Sequence, residues 1–176
     1  MKKKINLVIL LIISMFILTG CEEEQKQLEN NAGGVIDNVQ IDNTTKGHKV
    51  CTRSANAGSN AEVELNYDVY YTGENINILV SKEKLITEDQ DMLKQYEDAY
   101  KQIGSYYKGL QYYDQKVTRT NNSVLNEITI NYDKIDINQL LAIEGEEDNI
   151  IENGKAKVDL YIALLKKFGG KCEDVK

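Results

Sequence analysis

Apolar and polar residues alternate along the stretch that follows residue 60. Apolar side chains stand at every second position from Ala61 to Tyr71, and mostly acidic or amide residues stand between them. A period of two predicts a strand with one face against the core and the other in solvent. The turn-forming sequence Thr-Gly-Glu-Asn follows, and alternation resumes with Ile76, Ile78 and Val80 on one side. This part of the chain therefore predicts a β-hairpin.

Two longer stretches carry apolar residues at helical spacing. The sequence Thr-Glu-Asp-Gln at 87–90 has the pattern of a capping box, with Thr87 as N-cap, and predicts a helix of about twenty residues. Gly109 stands where a C-cap glycine would end this helix. Another amphipathic stretch predicts a helix over 155–168, closed by two glycines, and Asp136 is expected to cap a short helix before it.

A second hairpin is predicted on the two sides of Asn121-Asn122. Residues 110–120 are rich in strand-forming Tyr, Val and Thr, and residues 124–132 alternate again. Residues 171–176 are expected either to form a last short strand or to continue as an irregular C-terminal segment. Because hairpins rather than crossovers connect the strands, the sheet is expected to be antiparallel. The sequence predicts an α+β fold, with a sheet of about five to six strands built from hairpins and two main helices packed on one face.

The N-terminus has the features of an export signal. Three lysines at positions 2–4 precede an apolar run over 7–18 that only Ser14 interrupts. A run of this length is shorter than the roughly 20 residues that a membrane-spanning helix needs. It fits the apolar segment of a secretory signal peptide.

The signal ends in Leu18-Thr19-Gly20-Cys21, which is typical of the lipobox of bacterial lipoproteins. Small residues beside the cleavage point let the backbone enter a membrane-embedded peptidase, and the sulfur of Cys21 accepts a diacylglyceryl group. Two acyl chains anchor a protein firmly, whereas one gives only marginal binding. We predict a protein attached through this lipid to the cell membrane and facing outside the cytoplasm. An ordinary signal peptide that happens to end in Gly-Cys is the alternative.

These features divide the chain into three parts. Residues 1–20 are the predicted lipoprotein signal peptide, residues 21–47 the lipidated cysteine with a flexible acidic tether, and residues 48–176 a single α+β domain. The 176 residues include 21 basic and 28 acidic side chains, a formal charge of −7. Nucleic-acid binding relies on clustered Lys and Arg, so we expect no nucleic-acid partner.

The cysteine count suggests a disulfide. With Cys21 assigned to lipid, Cys51 and Cys172 remain, one near each end of the predicted domain. Disulfides persist outside the cytoplasm, so we predict that these two are paired. A reactive or metal-binding thiol pair is less favoured because the chain has no Cys-x-x-Cys spacing, and two free thiols are the remaining alternative.

Candidate catalytic residues are scarce. His48 is the one histidine of the sequence, and its position beside the predicted tether is typical of an exposed linker residue. The chain lacks a Gly-x-Ser-x-Gly elbow, a Ser-x-x-Lys motif and a P-loop. The acidic stretch at 144–149 lacks EF-hand spacing. We therefore predict no catalytic residue, metal or cofactor; a hydrolase that uses two carboxylates is the least favoured possibility.

Tyrosine is unusually abundant, with 11 tyrosines against 2 phenylalanines. Three Tyr-Tyr pairs, at 70–71, 106–107 and 112–113, place one ring of each pair outward if its neighbour points inward. We predict a possible binding surface that comprises Tyr70, Tyr106 and Tyr113, because amphipathic rings suit contact with carbohydrate, peptide or protein. The alternative is that these rings only cover the rim of the sheet.

The order of these elements resembles the YehR-like family of small bacterial lipoproteins of unknown function. The likeness runs from about Ala61 to Lys176. It rests on the segment Tyr67–Glu74 that enters the first hairpin, the helix that begins near Thr87, the segment Ile128–Asp136 and a C-terminal amphipathic helix that ends in glycine. It implies an exported, lipid-anchored α+β domain, and it transfers no site residues. The family pattern lacks a cysteine pair at Cys51 and Cys172, so the disulfide is inferred from this sequence alone.

We interpret the protein as a cell-envelope lipoprotein, not an enzyme, that displays a binding domain for an unknown envelope protein or small ligand. The alternative is an accessory structural lipoprotein that stabilises an envelope assembly. A concave pocket lined by tyrosines would favour a small ligand, whereas a flat sheet would favour a protein partner.

Overall fold

The computed structural model of the protein describes residues 47–58, 60–143 and 149–175. The predicted signal peptide, Cys21 and nearly all of the predicted tether lie outside these ranges. The helices are α1 (Gln90–Tyr106), α2 (Ile137–Leu141) and α3 (Val158–Lys167). The strands are β1 (Gly47–Asn56), β2 (Ala61–Thr72), β3 (Asn75–Thr87), β4 (Tyr113–Arg119), β5 (Ser123–Asn131), β6 (Ile151–Glu152), β7 (Lys155–Ala156) and β8 (Lys171–Asp174).

Within these residues, six strands form one antiparallel sheet in the order β4-β5-β3-β2-β1-β8. Strands β6 and β7 form a separate two-stranded ladder. The predicted α+β class, the strand count and the antiparallel hairpins are confirmed. Residues 171–174 do add a last strand, because β8 pairs with β1 along the edge of the sheet.

The two longer helices cover the same face of the sheet and define two core clusters. Under α1, the fully buried side chain of Leu93 packs with Leu85 of β3 and Val124 of β5. Under α3, Tyr161 packs with Val69 of β2 in the larger cluster. Burial of these side chains from both helices and sheet supplies the main folding energy of such a layered domain.

A bulge in β3 changes the predicted alternation. Tyr70 pairs with Ile78 and Tyr71 pairs with Ile76, which leaves Asn77 as an extra residue on β3. Because of this insertion, Ile76 joins the core under α3, while Ile78 and Val80 cluster with Tyr70 apart from it. The prediction that Ile76, Ile78 and Val80 share one face is wrong, since one inserted residue exchanges the two faces of a strand.

The capping box at the start of α1 is displaced by two residues from its predicted position. The carboxylate of Asp89, rather than Thr87, caps the helix, and its Oδ1 accepts hydrogen bonds from the backbone N–H groups of Asp91 at 2.9 Å and Met92 at 3.0 Å. Thr87 ends β3, and its hydroxyl donates to the carbonyl of Asn60. The predicted cap of α2 by Asp136 is confirmed.

Helix α3 begins three residues later than predicted. Residues 155–156 belong to β7, which pairs with β6 across Asn153 and Gly154, both with positive φ. An Asn-Gly pair favours the two-residue hairpin turn that needs this conformation. Because residues 155 and 156 belong to this hairpin, they are not part of α3, to which their helical spacing had assigned them.

The cap of α1 provides a stability prediction. We expect Asp89→Ala to lower the free energy of unfolding by about 1 kcal/mol, because two N–H groups at the helix start lose their acceptor. Urea unfolding of the purified protein measures this change. Asp91→Ala is the matched control on the same turn, since Asp91 supplies no side-chain cap; equal losses in the two variants would contradict the assignment.

Candidate functional site

A row of side chains crosses the middle of the sheet on the face that the helices cover. Arg53 of β1 pairs with Leu65 of β2, and Leu65 pairs with Glu83 of β3. On the same face of β3, Leu79 belongs to the cluster under α3 and Leu85 to the cluster under α1. Glu83 therefore lies where the two core clusters meet.

A pocket of about 210 Å³ opens over this row, between the two longer helices and the sheet. Its walls include Cys51 and Leu65 from the sheet, Tyr96 and Tyr100 from α1, and Tyr161 and Leu165 from α3. A concave, largely apolar pocket with a few polar groups is the usual form of a small-ligand site. We take it as the candidate functional site and call it the tyrosine pocket.

Two edge-to-face tyrosine pairs line the tyrosine pocket. Tyr67 of β2 meets Tyr161 of α3, with ring centroids 6.3 Å apart and planes at 79°. Tyr96 meets Tyr100 one turn later on α1, with centroids 6.0 Å apart and planes at 74°. Such contacts add to the stabilisation from burial and hold the rings in defined orientations. Each of these four rings in the pocket wall is therefore held in a defined orientation by its neighbouring ring.

Glu83 lines the same pocket, among these four rings. The hydroxyl of Tyr67 donates a hydrogen bond to Glu83 Oε1 at 3.3 Å. Burial raises the pKa of Glu83, and this hydrogen bond opposes the rise in part. Glu83 as a residue is partly exposed, and because it lines the pocket a molecule inside the pocket can contact it.

The negative charge of Glu83 affects the pKa values of the four tyrosines. Burial is the main cause that raises the pKa of Tyr67, Tyr96, Tyr100 and Tyr161, and the negative charge of Glu83 raises each of them further. All four phenols therefore stay protonated and neutral at physiological pH. Glu83 is the acidic side chain that shares the pocket with these four rings.

Arg53 is the basic side chain in the pocket lining. Its guanidinium lies beside the end of α3, with Nε 3.8 Å from the position that a Cβ on Gly169 would take. None of the ion pairs among the described residues includes Glu83. Among the residues that the structure describes, Glu83 thus has a phenol donor and no ion-pair partner.

This arrangement predicts that Glu83→Gln stabilises the ligand-free protein at neutral pH. A carboxyl whose folded-state pKa is raised lowers stability above that pKa and has no such effect where it is protonated in both states. We expect a higher urea midpoint than wild type at pH 7, and a difference that disappears as the pH falls below about 4, the usual range of Glu. An unchanged midpoint at pH 7 would contradict the burial of this charge.

The tyrosines predicted as a binding surface lie in three separate environments. Tyr70 is buried with Ile78 and Val80 in the small cluster described above. Tyr106 is 40% exposed near the end of α1, and Tyr113 stacks on Tyr107 with centroids 4.3 Å apart. Tyr113 turns inward because β4 is in register with β5 there and its partner Ile130 packs against the core under α3. The structure does not bring these three rings together.

The four tyrosines that do line one pocket were not predicted, although one feature of the sequence marked their position. Glu83 interrupts the apolar side of β3 that carries Leu79 and Leu85. A charged residue between core positions of a central strand is uncommon and marks a position to examine. The bulge at Asn77 hid this signal, because the unbulged alternation assigned Glu83 to the opposite face.

The interpretation of His48 as an exposed linker residue is wrong. His48 belongs to β1, and its Nε2 lies 2.8 Å from Asp68 Oδ1 on β2. Its ring stacks on Tyr70 with centroids 4.2 Å apart. The antiparallel pairing of β1 and β2 places these groups next to one another, away from the tyrosine pocket.

Cys51 and Cys172 form a disulfide that joins β1 to β8 across directly paired positions. Cys51 is buried and lines the tyrosine pocket, and Gly170 at the start of β8 also lines it. The disulfide therefore joins the edge strand β8 covalently to β1, a strand that lines the pocket. Cys21 lies outside the described residues.

A larger hollow of about 490 Å³ lies at the turn between β1 and β2, lined by residues such as Asn60 and Glu88. Its lining combines polar and apolar side chains in about equal measure. Within the described ranges, no three His, Cys, Asp or Glu side chains are grouped to hold a metal ion. No helix in the described part of the chain is long and apolar enough to cross a membrane.

Comparisons with known proteins give two similar structures. No family model matches the chain, and no curated protein matches it. The chain is similar to the NMR structure of the E. coli YehR protein at 16% identity and a TM-score of 0.49, over 75% of this chain and 93% of that one. It is also similar to the NMR structure of a protein from Streptococcus pneumoniae TIGR4 at 14% identity and a TM-score of 0.46, over 88% and 100% of the two chains. Membership of the YehR-like family stays a prediction.

Proposed function

We propose that this chain is a lipid-anchored protein outside the cytoplasm whose domain binds a small ligand without changing it chemically. The observation that carries this proposal is the tyrosine pocket between α1, α3 and the sheet. It is concave, it is mostly apolar, and it contains one acidic and one basic side chain. These properties are typical of a small-molecule site rather than of a flat protein interface.

The proposed location rests on the N-terminal sequence and on the disulfide. The basic residues, the apolar run and the lipobox ending in Cys21 support export and acylation. The Cys51–Cys172 disulfide supports an oxidising compartment, because thiols in the cytosol are kept reduced. The membrane is then the attachment surface and the domain is the binding part.

The proposal of a binding protein rather than a hydrolase rests on the acid count in the pocket. Glycoside hydrolysis usually requires two carboxyl groups that flank the scissile bond. Among the described residues that line the tyrosine pocket, Glu83 is the one carboxylic acid. An accessory structural role remains the alternative, and it would need a protein-contacting surface instead of an occupied pocket.

The test compares two Tyr→Ala variants of the full chain. Tyr96 lines the pocket, whereas Tyr112 is 50% exposed outside it. We expect native mass spectrometry of the detergent-purified protein to show a bound small molecule in wild type and Tyr112→Ala. The affinity of Tyr96→Ala for this molecule should fall by about two- to thirteenfold, with a corresponding loss of occupancy, because losing one aromatic contact costs about 0.5–1.5 kcal/mol.

Two results would contradict the proposed function. One is equal occupancy in Tyr96→Ala and Tyr112→Ala, which would place the bound molecule elsewhere. The other is an empty wild-type protein that also fails to bind any of a cationic, a neutral and an anionic small molecule in calorimetry. Melting temperatures of all variants control for loss of fold.

A further inference from the structure

The charge arrangement inside the tyrosine pocket is unusual for an apolar ligand site. Glu83 lies on the helix-covered face of a central strand, and four tyrosine rings share the pocket with it. In the described part of the chain, its hydrogen-bond partner is the Tyr67 hydroxyl, at 3.3 Å, and no ion pair includes it. An ionised carboxylate can accept about four hydrogen bonds, and the described residues supply Glu83 with one.

Aromatic rings around a carboxylate favour a cation. The faces of tyrosine rings carry negative potential and attract ammonium groups, most strongly where water is excluded. A carboxylate adds a full opposite charge and, for a protonated amine, a charge-assisted hydrogen bond. The rings and Glu83 therefore both attract a cation, whereas the positive charge of Arg53, which also lines the pocket, opposes this attraction.

We propose that the ligand of the tyrosine pocket carries a positively charged amine or quaternary ammonium group, which binds Glu83 among the rings of Tyr67, Tyr96, Tyr100 and Tyr161. This inference rests on the proposed binding function and deepens it by naming the chemical class of the ligand. A neutral apolar ligand would desolvate the carboxylate without bringing a counter-charge, and an anionic ligand would be repelled by it.

Pocket size limits the ligand. A volume of about 210 Å³ is below the roughly 300–1,000 Å³ of sites for drug-sized molecules. The pocket therefore suits a compact cation with a short apolar body rather than a long lipid or an oligosaccharide. Arg53 lies near Gly169. It is the one basic side chain among the described residues that line the pocket.

Binding of a cation should depend on pH through Glu83. The titratable and charged groups that face it are Tyr67 on β2, Tyr96 and Tyr100 on α1, Tyr161 on α3 and Arg53 on β1. The phenols remain neutral and Arg53 remains charged across the acidic range, so Glu83 is the group that titrates. Because burial raises its pKa, affinity for the cation should fall as the pH drops through that raised pKa.

The experiment uses three molecules with the same branched body and different charges. Choline is the cation, 3,3-dimethylbutan-1-ol its neutral carbon analogue and 3,3-dimethylbutanoate the anion. Calorimetric titration of the full chain in detergent measures each affinity, and quenching of tyrosine fluorescence reports binding at the rings. Wild type is expected to bind choline at least about tenfold more tightly than either analogue, because only the trimethylammonium group gains both cation–π contacts with the rings and Coulombic attraction to Glu83.

Two variants identify the group responsible. Glu83→Gln keeps the shape of the side chain and removes its charge, and Glu62→Gln removes the same charge from an exposed position of β2. We expect Glu83→Gln to lose at least about tenfold in choline affinity, to retain its affinity for the neutral analogue and to lose the pH dependence. Glu62→Gln should behave as wild type in all three respects.

The two proposals fail in different ways. If the neutral or anionic analogue binds as tightly as choline, and Tyr96→Ala weakens that binding, the pocket binds ligands but not cations, and this inference is overturned. The same conclusion follows if Glu83→Gln and Glu62→Gln bind choline equally. If none of the three molecules binds and the purified protein carries no adduct, the proposed function itself is overturned.

Discussion

Removal of the Cys51–Cys172 disulfide is expected to cost about 4–5 kcal/mol of unfolding free energy. The two cysteines are 121 residues apart, and closing so long a loop greatly restricts the unfolded chain. In a domain of this size, that loss corresponds to a decrease of about 15–18 °C in melting temperature. The double variant Cys51→Ala/Cys172→Ala, compared with wild type in thermal and urea unfolding, measures it.

Reducing agent provides the matched control for this prediction. Reduced wild type should show the same loss as the double variant, and the double variant should not respond to reductant. The intact mass of wild type without reductant should be two hydrogens below that of the reduced chain. Stability within about 1 kcal/mol of wild type in the double variant would show that the crosslink contributes little.

The disulfide should also affect ligand binding. Cys51 and Gly170 both line the tyrosine pocket, and β8 follows α3 directly. Loss of the crosslink releases the edge strand from its covalent tie to β1, so the rim beside α3 becomes less ordered. We expect the double variant to bind choline more weakly at temperatures where it is still folded.

The second large effect concerns Cys21. If Cys21 carries the lipid anchor, Cys21→Ala should abolish incorporation of labelled palmitate completely, because no other residue of the lipobox can accept the diacylglyceryl group. The mature, processed form should also disappear from the membrane fraction. Each buried CH₂ of an acyl chain contributes about 0.8 kcal/mol, so loss of two chains removes the anchor.

Cys51→Ala is the control for this experiment. It also removes one cysteine, but the one that forms the disulfide in β1 rather than the one in the lipobox, and it should retain the palmitate label and normal processing. Normal processing and unchanged membrane retention of Cys21→Ala would refute lipid anchoring. A label in Cys21→Ala would place acylation on another cysteine.

Short-range patterns predicted most of the local structure. The alternation from Ala61 to Tyr71 identified β2, and helical spacing identified α1 and α3, because both periods reflect which side chains face a core. Errors arose where two local solutions competed. Asp89 and Thr87 can each cap a helix, and the tertiary contact of Thr87 with Asn60 decides that Asp89 does so.

The candidate site was predicted less well, for a physical reason. Sequence alone pairs each outward tyrosine with an inward neighbour, but it does not tell which of the two is inward. The stacking of Tyr113 on Tyr107 depends on how β4 packs against the end of α1, because Tyr113 is the first residue of β4 and Tyr107 follows the last residue of α1. The anchor, the family and the absence of catalysis stay predictions of the sequence.

The amino-acid sequence by itself determined the hairpins β2–β3 and β4–β5, the approximate positions of the three helices, the α+β class and the pair of cysteines available for a disulfide, since these depend on composition and local period. Only the tertiary structure decided that Glu83 faces the helices, because one inserted residue at Asn77 exchanges the faces of β3. It also brought Tyr67, Tyr96 and Tyr161 together from a strand and two helices. Convergence of residues from separate elements depends on packing, and no local pattern encodes it.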